Sequence, residues 1–294
     1  MGFKDDLASI LGANFNEVWQ SFFSQKQAGF FISALGLEQK ERIFTEFKEL
    51  NLKEILPNFY LVGGTKKPIL SASNSFNEGL IYIQNPSSYL SALNLNASLN
   101  DEICDMCASP GGKSIALCAL FALNFKNYEK NALKFACIEA NKDRFFSLKK
   151  NLLKYSLTNI KTFNKDARSI SRTCKERFDR IILDAPCSSY SHFSENFKEK
   201  SIKEIKALSK LQKELLNAGL GALKCGGELV YSTCTFYPQE NEQVIQNALN
   251  SKFKIQILKL DFLPQNVRQN DFGALILPNE IYDGFFITRI KKLA

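Results

Sequence analysis

The sequence predicts an α/β protein in which a mainly parallel sheet, covered by helices on both faces, follows a small α+β domain. Apolar runs at residues 103–107, 135–139, 180–183 and 228–231 are separated by helix-length segments, which is the rhythm of βαβ units. Residues before about 78 lack that rhythm. The chain has 294 residues, 45% hydrophobic and 23% charged, which suits one large globular domain with a smaller companion.

Taken in order, Leu7, Ile10, Leu11, Phe15, Val18 and Phe22 recur at helical spacing over residues 5–23. Ile43, Phe44 and Phe47 do the same over 38–50. Short apolar runs at 30–32 and 59–62 read as strands, Gly63-Gly64 as a turn, and the polar stretch 71–77 as a connector. These elements predict a domain over residues 1–78 and a second over 79–294. In the second, ligands are expected beyond the carboxyl ends of the strands, where parallel sheets of this kind bind them.

Composition removes several classes. No apolar run approaches the roughly 18 residues of a membrane span. The first ten residues carry Lys4, Asp5 and Asp6 instead of a basic-then-apolar leader, so a cytoplasmic protein without membrane partners is expected. Eight cysteines are too sparse for a disulfide scaffold. The single histidine, His192, argues against Ser-His or Cys-His nucleophile pairs, leaves any zinc site dependent on cysteine alone, and is expected on the surface or in a loop.

The net charge of +8 favours polyanionic partners. Residues 1–79 hold 8 basic and 9 acidic side chains, leaving 30 basic against 21 acidic in the remainder. Within the remainder, residues 142–180 hold 12 basic and 4 acidic side chains, either a phosphate-facing strip or a solvated lysine-rich helix face. The aromatic residues read as core rather than as base-stacking platforms.

The first strand end carries Asp105-Met106-Cys107-Ala108-Ser109-Pro110-Gly111-Gly112-Lys113-Ser114 and opens into an apolar helical segment. Glycines let the backbone approach a ligand, and the helix start offers free N–H groups. This loop is close to the phosphate-loop pattern, with a run at 181–184 as a magnesium-holding strand, but Cys107 stands where the first glycine belongs. Cys104 and Cys107 could form half a metal site or a redox pair, yet no second pair completes it, so Cys104 is read as core and no metal is expected. Glu139 ends the second strand, where a carboxylate can take ribose hydroxyls. Asp166 is either an acceptor for an adenine amino group or a helix cap. Two more strand ends each place a cysteine at the cleft: Asp184-Ala185-Pro186-Cys187-Ser188, and Tyr231-Ser232-Thr233-Cys234-Thr235 followed by Pro238-Gln239-Glu240-Asn241-Glu242.

This constellation, with the closing Asp283-Gly284-Phe285-Phe286 and the segment around Gln84 and Ser88, resembles the RsmB/Sun-type RNA (cytosine-5)-methyltransferases over about residues 79–294. The resemblance implies a class I methyltransferase (Rossmann-like) sheet whose late antiparallel strand residues 285–290 would supply, S-adenosylmethionine as methyl donor, and residues 1–78 as a loosely similar RNA-binding extension. Cytosine C5 is a poor nucleophile until a thiolate adds at C6, and the site must favour that thiolate. By resemblance Cys234 is the nucleophile and Cys187 assists its release. Asp184 contacts the flipped base with Lys113 beside it. The same likeness places Cys107, Ala108, Ser109, Pro110, Gly111, Gly112 and Lys113 along the donor, Glu139 on its ribose and Asp166 on its adenine, with Asp184 bordering both ligands.

The chain departs from the family pattern at Ser189-Tyr190-Ser191, where glycine, threonine and glycine are usual, at Asn85 and at Leu277-Pro278-Asn279. A DNA cytosine-5 methyltransferase would attack through Cys187 instead, and a non-catalytic RNA-binding factor would bind the donor without turnover. RNA is the expected partner, ribosomal first and transfer RNA second by family tendency. A monomer is expected because no coiled-coil seam appears.

Overall fold

The computed structural model describes residues 2–63, 66–125, 128 and 133–294; Gly64 of the expected turn lies outside them. The first elements are α1 (Phe3–Leu11), α2 (Phe15–Ser21), β1 (Ala28–Ile32), α3 (Lys40–Glu46), β2 (Lys53–Leu56), β3 (Phe59–Val62), α4 (Lys67–Ala72), α5 (Asn74–Asn77) and β4 (Ile81–Ile83). They are followed by α6 (Pro86–Leu93), β5 (Glu102–Asp105), α7 (Gly112–Asn124), β6 (Lys134–Ile138), α8 (Lys142–Lys154), β7 (Lys161–Phe163), α9 (Ile170–Thr173) and β8 (Phe178–Asp184). The last are α10 (Ile202–Ala222), β9 (Leu223–Thr233), α11 (Glu242–Leu249), β10 (Ile255–Leu258), β11 (Val267–Asn270), β12 (Gly273–Ile276) and β13 (Phe285–Lys292).

The large sheet runs β11-β12-β13-β9-β8-β5-β6-β7, with β10 added beside β13. The pairs among β5 to β9 are parallel, and β13 lies antiparallel against β9 from Phe286 opposite Thr233 to Lys291 opposite Glu228. This is the expected class I methyltransferase sheet, with the late antiparallel strand where residues 285–290 placed it. Strand order reverses at β5, which has β6 on one side and β8 on the other. The crevice beyond its carboxyl end is therefore a ready ligand site.

The strands read as unbroken apolar runs because both of their faces are buried. Ile103, Ile182, Val230 and Ile287 point into one core; Cys104, Ile181, Leu183, Leu229, Tyr231 and Phe286 point into the other. Helix starts are fixed by side chains. Ser201 and Glu204 close a reciprocal capping box on α10, and Asn141 caps α8 by accepting from the Arg144 amide.

A second, antiparallel sheet of order β2-β3-β1-β4 forms the small domain. Its boundary differs from the expected one in two ways. β4 pairs with β1, so the small sheet reaches residue 83 rather than ending at 78. Helix α1 leaves the small domain, burying Phe3, Leu7 and Leu11 against the core of the large one. The stretch 71–77 is helical rather than a connector: Ser73 caps α5, and Glu46 accepts from the amides of Asn74 and Ser75. Its polar residues are caps, which from sequence alone look like a loop. The helical patterns over 5–23 and 38–50 are each interrupted by 3-10 turns, the first beginning at Gly12.

The two domains share a core through alternate residues of β1. Phe30 and Ile32 face the small domain's core, whereas Phe31 stacks between Tyr82 and Tyr89 at centroid distances of 5.3 and 5.1 Å in the core of the large one. Phe31→Ala should therefore lower stability by about 3–5 kcal/mol while leaving a single unfolding transition. Urea denaturation followed by circular dichroism checks this, and a loss below about 1 kcal/mol would show that the sheets are only loosely docked.

Candidate active site

The glycine loop joins β5 to α7 in a tight turn. Gly111 has φ +107°, a conformation that disfavours a side chain. A Cβ on Gly112 would lie 2.8 Å from Gln84 Nε2 and 3.0 Å from Tyr82 Oη. The missing side chain at 112 thus admits the segment before α6, whereas the sequence had suggested a ligand there. That segment closes one wall of a cavity of about 320 Å³ at the carboxyl ends of β5 and β8.

Polar groups without partners mark the cavity. Asp105 at the end of β5 accepts from Ser114 Oγ at 2.7 Å through Oδ2, but its buried Oδ1 has no hydrogen bond. Burial pushes the Asp105 carboxyl up to about 6, against the bond from Ser114. Glu139 follows β6; its Oε1 accepts from the Asn141 amide, and its buried Oε2 is 3.5 Å from the Arg144 guanidinium without a hydrogen bond. Gln84 Oε1 and Ser191 Oγ are also unpartnered.

Lys113, on the first turn of α7, is buried. Its ammonium donates to Asp184 Oδ2 at 2.6 Å and to Ser88 Oγ at 2.7 Å, and lies 5.8 Å from the centre of the Phe285 ring. Ser232 Oγ donates to Asp184 Oδ1 at 2.8 Å. Asp184 is thus held from both sides at the end of β8. The arrangement also answers the phosphate-loop reading: the lysine and serine it would need are occupied by Asp184 and Asp105.

The two cysteine loops are bound together below the cavity. Buried Glu240 accepts from the Ser188 amide at 2.9 Å, from Ser188 Oγ and from Gln212 Nε2 at 2.9 Å, while Gln212 also donates to the Pro186 carbonyl. Ser188 Oγ lies 2.7 Å from Thr235 Oγ1. The result brings Cys187 Sγ within 3.1 Å of Cys234 Sγ, and Cys234 N donates to Cys187 Sγ. Two thiols so close share protons unequally. The hydrogen bond from Cys187 holds the Cys234 thiol well below its ordinary value, with His192 acting in the same direction against burial. That same hydrogen bond, with burial, drives the Cys187 thiol well above its ordinary value.

The structure gathers Cys107, Ala108, Ser109, Pro110, Gly112, Lys113, Asp184 and Cys234 on one cavity wall, with Cys187 touching Cys234. Gly111 turns the loop behind it, and Glu139 ends the adjacent strand. Asp166 stands apart. It caps the turn at residues 167–169 by accepting from the Arg168 amide, and the Arg168 guanidinium grips both carboxylate oxygens. The cap that sequence offered as one reading is therefore present. Cys104 is core, as expected. The basic strip is partly neutralised, since Arg168 also pairs with Glu214, Arg177 with Glu102 and Arg180 with Asp101. Among the described residues no cluster could hold a metal ion.

Sequence reasoning named Asp105 and Ser88 only as parts of family segments, without a role of their own, and set His192 aside as a surface or loop residue. His192 does lie exposed in a loop, but the Ser191 amide ties that loop to the Cys234 carbonyl at 3.1 Å and His192 lines the same cavity as Cys234, so the two residue types that one histidine seemed to keep from pairing are brought to one site. The departure at Ser189-Tyr190-Ser191 shows how. Ser189 takes φ +62°, where the family's glycine is unstrained, and buried Tyr190 stacks on Phe3 at 4.2 Å.

Because Lys113 neutralises Asp184 in a half-buried setting, Lys113→Met should cost roughly 1–3 kcal/mol, below the cost for a fully buried pair. Guanidinium melts of Lys113→Met, Asp184→Asn and the double variant check this. A double variant no more stable than the sum of the single losses would show that the two groups are not coupled.

Comparison with known proteins agrees with this geometry. A family model described as 16S rRNA methyltransferase RsmB/F matches residues 92–291. The tRNA (cytosine(72)-C(5))-methyltransferase of Pyrococcus horikoshii is 28% identical over 244 residues, 83% of this chain and 59% of that protein. Ribosomal RNA small subunit methyltransferase F of Vibrio parahaemolyticus is 34% identical over 228 residues, 73% of this chain and 45% of that protein. The crystal structure of a methyltransferase homolog from Pyrococcus horikoshii superposes with a TM-score of 0.78 at 27% identity, covering 99% of this chain and 94% of that one. The chain thus spans only about half the length of the curated relatives it matches. Over the region that contains both cysteine loops and the glycine loop, the chain belongs to the RsmB/F methyltransferase family.

Proposed function

We propose that this protein is an RNA (cytosine-5)-methyltransferase that takes its methyl group from S-adenosylmethionine, with Cys234 as the nucleophile and Cys187 assisting its release. The observation that carries the reading is the pair of thiols at 3.1 Å, polarised toward a Cys234 thiolate, at the ends of β8 and β9 beside Asp184. A binding factor has no use for that polarisation. A DNA-type enzyme attacking through Cys187 would need that thiol on the cavity lining, where Cys234 stands instead.

The residues present fit the methyl donor. It carries an ammonium group and ribose hydroxyls, all hydrogen-bond donors, and the cavity offers the unpartnered acceptor Asp105 Oδ1 with Glu139 Oε2 at the next strand end. Cys107 to Lys113 would line it, Glu139 would take the ribose, and Asp166 would reach an adenine only while sharing its oxygens with Arg168. When bound, the donor supplies an electrophilic methyl group.

The chain's own residues do the rest. Cys234 Sγ forms a bond to cytosine C6, and the C5–C6 π electrons move onto C5, which Asp184 and Lys113 favour by facing the pyrimidine's polar edge. C5 would then form the bond to the methyl carbon as the donor's methyl–sulfonium bond breaks, its electron pair staying on sulfur in the departing thioether. The C5 proton leaves to a base, its electron pair rebuilds the C5–C6 double bond, and the sulfur departs as thiolate beside the Cys187 thiol. For the RNA, a second cavity of about 630 Å³ shares Tyr82, Gln84, Asn85 and Asp283 with the first. Lys26, Lys67 and Lys154 line it, a basic path for a phosphate backbone. Small-subunit ribosomal RNA is the first substrate proposed and transfer RNA the second, following the named activities of the relatives. No described helix is long and apolar enough to cross a membrane. We further propose a monomer acting in the cytoplasm.

Cys234→Ala should lower methyl transfer to unmodified RNA by roughly a thousandfold or more. Cys187→Ala should accumulate protein–RNA adduct that survives denaturation and is lost in the double variant. Labelled methyl transfer and denaturing gels read both, and full activity of Cys234→Ala would refute the reading. Donor binding should also depend on Asp105. Above about pH 6 it is ionised and attracts the ammonium, whereas below that it is protonated and the attraction is lost. Calorimetry from pH 5 to 8 should therefore show weaker binding at the acid end, and Asp105→Asn should flatten the profile.

A further inference from the structure

The loop after β8 is fastened around Cys234. The Ser191 amide donates to the Cys234 carbonyl at 3.1 Å, and the His192 amide donates to the Ser189 carbonyl at 3.0 Å. Between them, Tyr190 is buried against Phe3, and its hydroxyl accepts from the Lys200 amide at 2.8 Å. With the backbone pinned on both sides, His192 lines the same cavity as Cys234, whose Sγ lies 3.6 Å from Ser189 Oγ of the same loop.

The surrounding charges decide what the imidazole can do there. Asp283, from the segment before β13, attracts a proton to it, and Lys26, from the segment before β1, opposes that. The neighbouring Cys234 thiol tips the balance and holds His192 above the ordinary histidine value. Around the thiol, Cys187 and His192 favour the anion, whereas burial and the Asp184 carboxylate oppose it. Lys113, the other cation on the cavity wall, is taken up by Asp184 and Ser88. Glu240 faces the cysteine pair from below, bound to Ser188 and Gln212.

We propose that His192 is a positioning residue for methyl transfer, whose protonated imidazole holds Cys234 as a thiolate and aims it into the cavity. The proposal rests on reading Cys234 as the nucleophile. In the resting pair the sulfur carries the electron pair and the imidazole the proton. Addition moves that electron pair into the S–C6 bond and leaves the imidazolium in place; elimination returns it to sulfur. His192 keeps its proton throughout, so the C5 proton goes to another base. Cysteine–imidazolium pairing is an effective way to hold a thiolate near neutral pH.

The test measures Cys234 alone, without RNA. Iodoacetamide is applied across a pH series and alkylation of the Cys234 peptide is followed by mass spectrometry in the full chain, His192→Gln and His192→Asn. Circular dichroism confirms folding, and because the side chain is exposed on its outer side at least one variant is expected to fold. The midpoint of the rate profile should rise by half a unit or more, making alkylation at least about threefold slower on its acid side. In turnover, kcat should fall with KM for RNA unchanged. A midpoint that moves by less than half a unit in the folded variants overturns the proposal. Failure of the underlying reading shows separately, as methyl transfer retained by Cys234→Ala.

Discussion

The active-site architecture depends on one buried carboxylate. Glu240 sits in the turn after β9 yet is spent on the loop after β8, accepting from the amide and hydroxyl of Ser188 and from Gln212 of α10. Its own carbonyl accepts from Tyr231 Oη at 2.6 Å, so the turn is also tied back to its strand. A buried carboxylate is costly unless its lone pairs are filled, and here every donor comes from an element that must be in register for the cysteines to meet. Burial drives the Glu240 carboxyl upward, and the hydrogen bonds from Ser188 and Gln212 oppose that shift. The bonds that keep the group polar are thus the bonds that bring Cys187 to Cys234.

The strand ends were legible in the sequence because burial on both faces writes each strand as a continuous apolar run, and the first polar residues after it necessarily face the crevice. The sequence reading put Asp184, Glu139 and Cys234 at strand ends in this way, where the structure has them, and the antiparallel β13 came from the resemblance. The failures share a cause. His192 looked solitary because Cys-His proximity is made by a loop return, and nothing local to residue 192 encodes Cys234. Asp166 offered two readings because a carboxylate before a helical turn is equally suited to a cap and to a ligand; its neighbour Arg168 settled the geometry. The segment 71–77 was misread because Ser73 and Asn74 signal a loop unless their partner, Glu46, is known to lie opposite.

The same loop return explains why α1 abandons the small domain. Phe3 contacts Tyr190, Phe193 and Phe236, an aromatic cluster that continues through Tyr237 and Phe197. The Phe3 amide donates to Glu199, and Tyr237 Oη donates to Asp6. These contacts fall on both cysteine loops, 190–199 after β8 and 236–237 after β9. A helix that belongs by sequence to the N-terminal part is therefore structural support for the two cysteine loops. The backbone at Tyr190 and Ser191 is held by the packing of Tyr190 on Phe3 and by the bond from the Ser191 amide to Cys234.

Seen from the cavity, the charges fall into two groups that do different work. Lys113 and Asp184 neutralise each other and are fixed by Ser88 and Ser232, forming a rigid polar edge against which a base can be oriented. His192 and Asp283 line the same cavity as Cys234, with Lys26 3.9 Å from Asp283, and form a second group next to the cysteine that would change charge in the proposed reaction. Fixed dipoles suit orientation because they require no reorganisation, whereas a nucleophile must surrender its electron pair and recover it. In the mechanism we propose, separating the groups lets the sulfur change charge without loosening the residues that would hold the base.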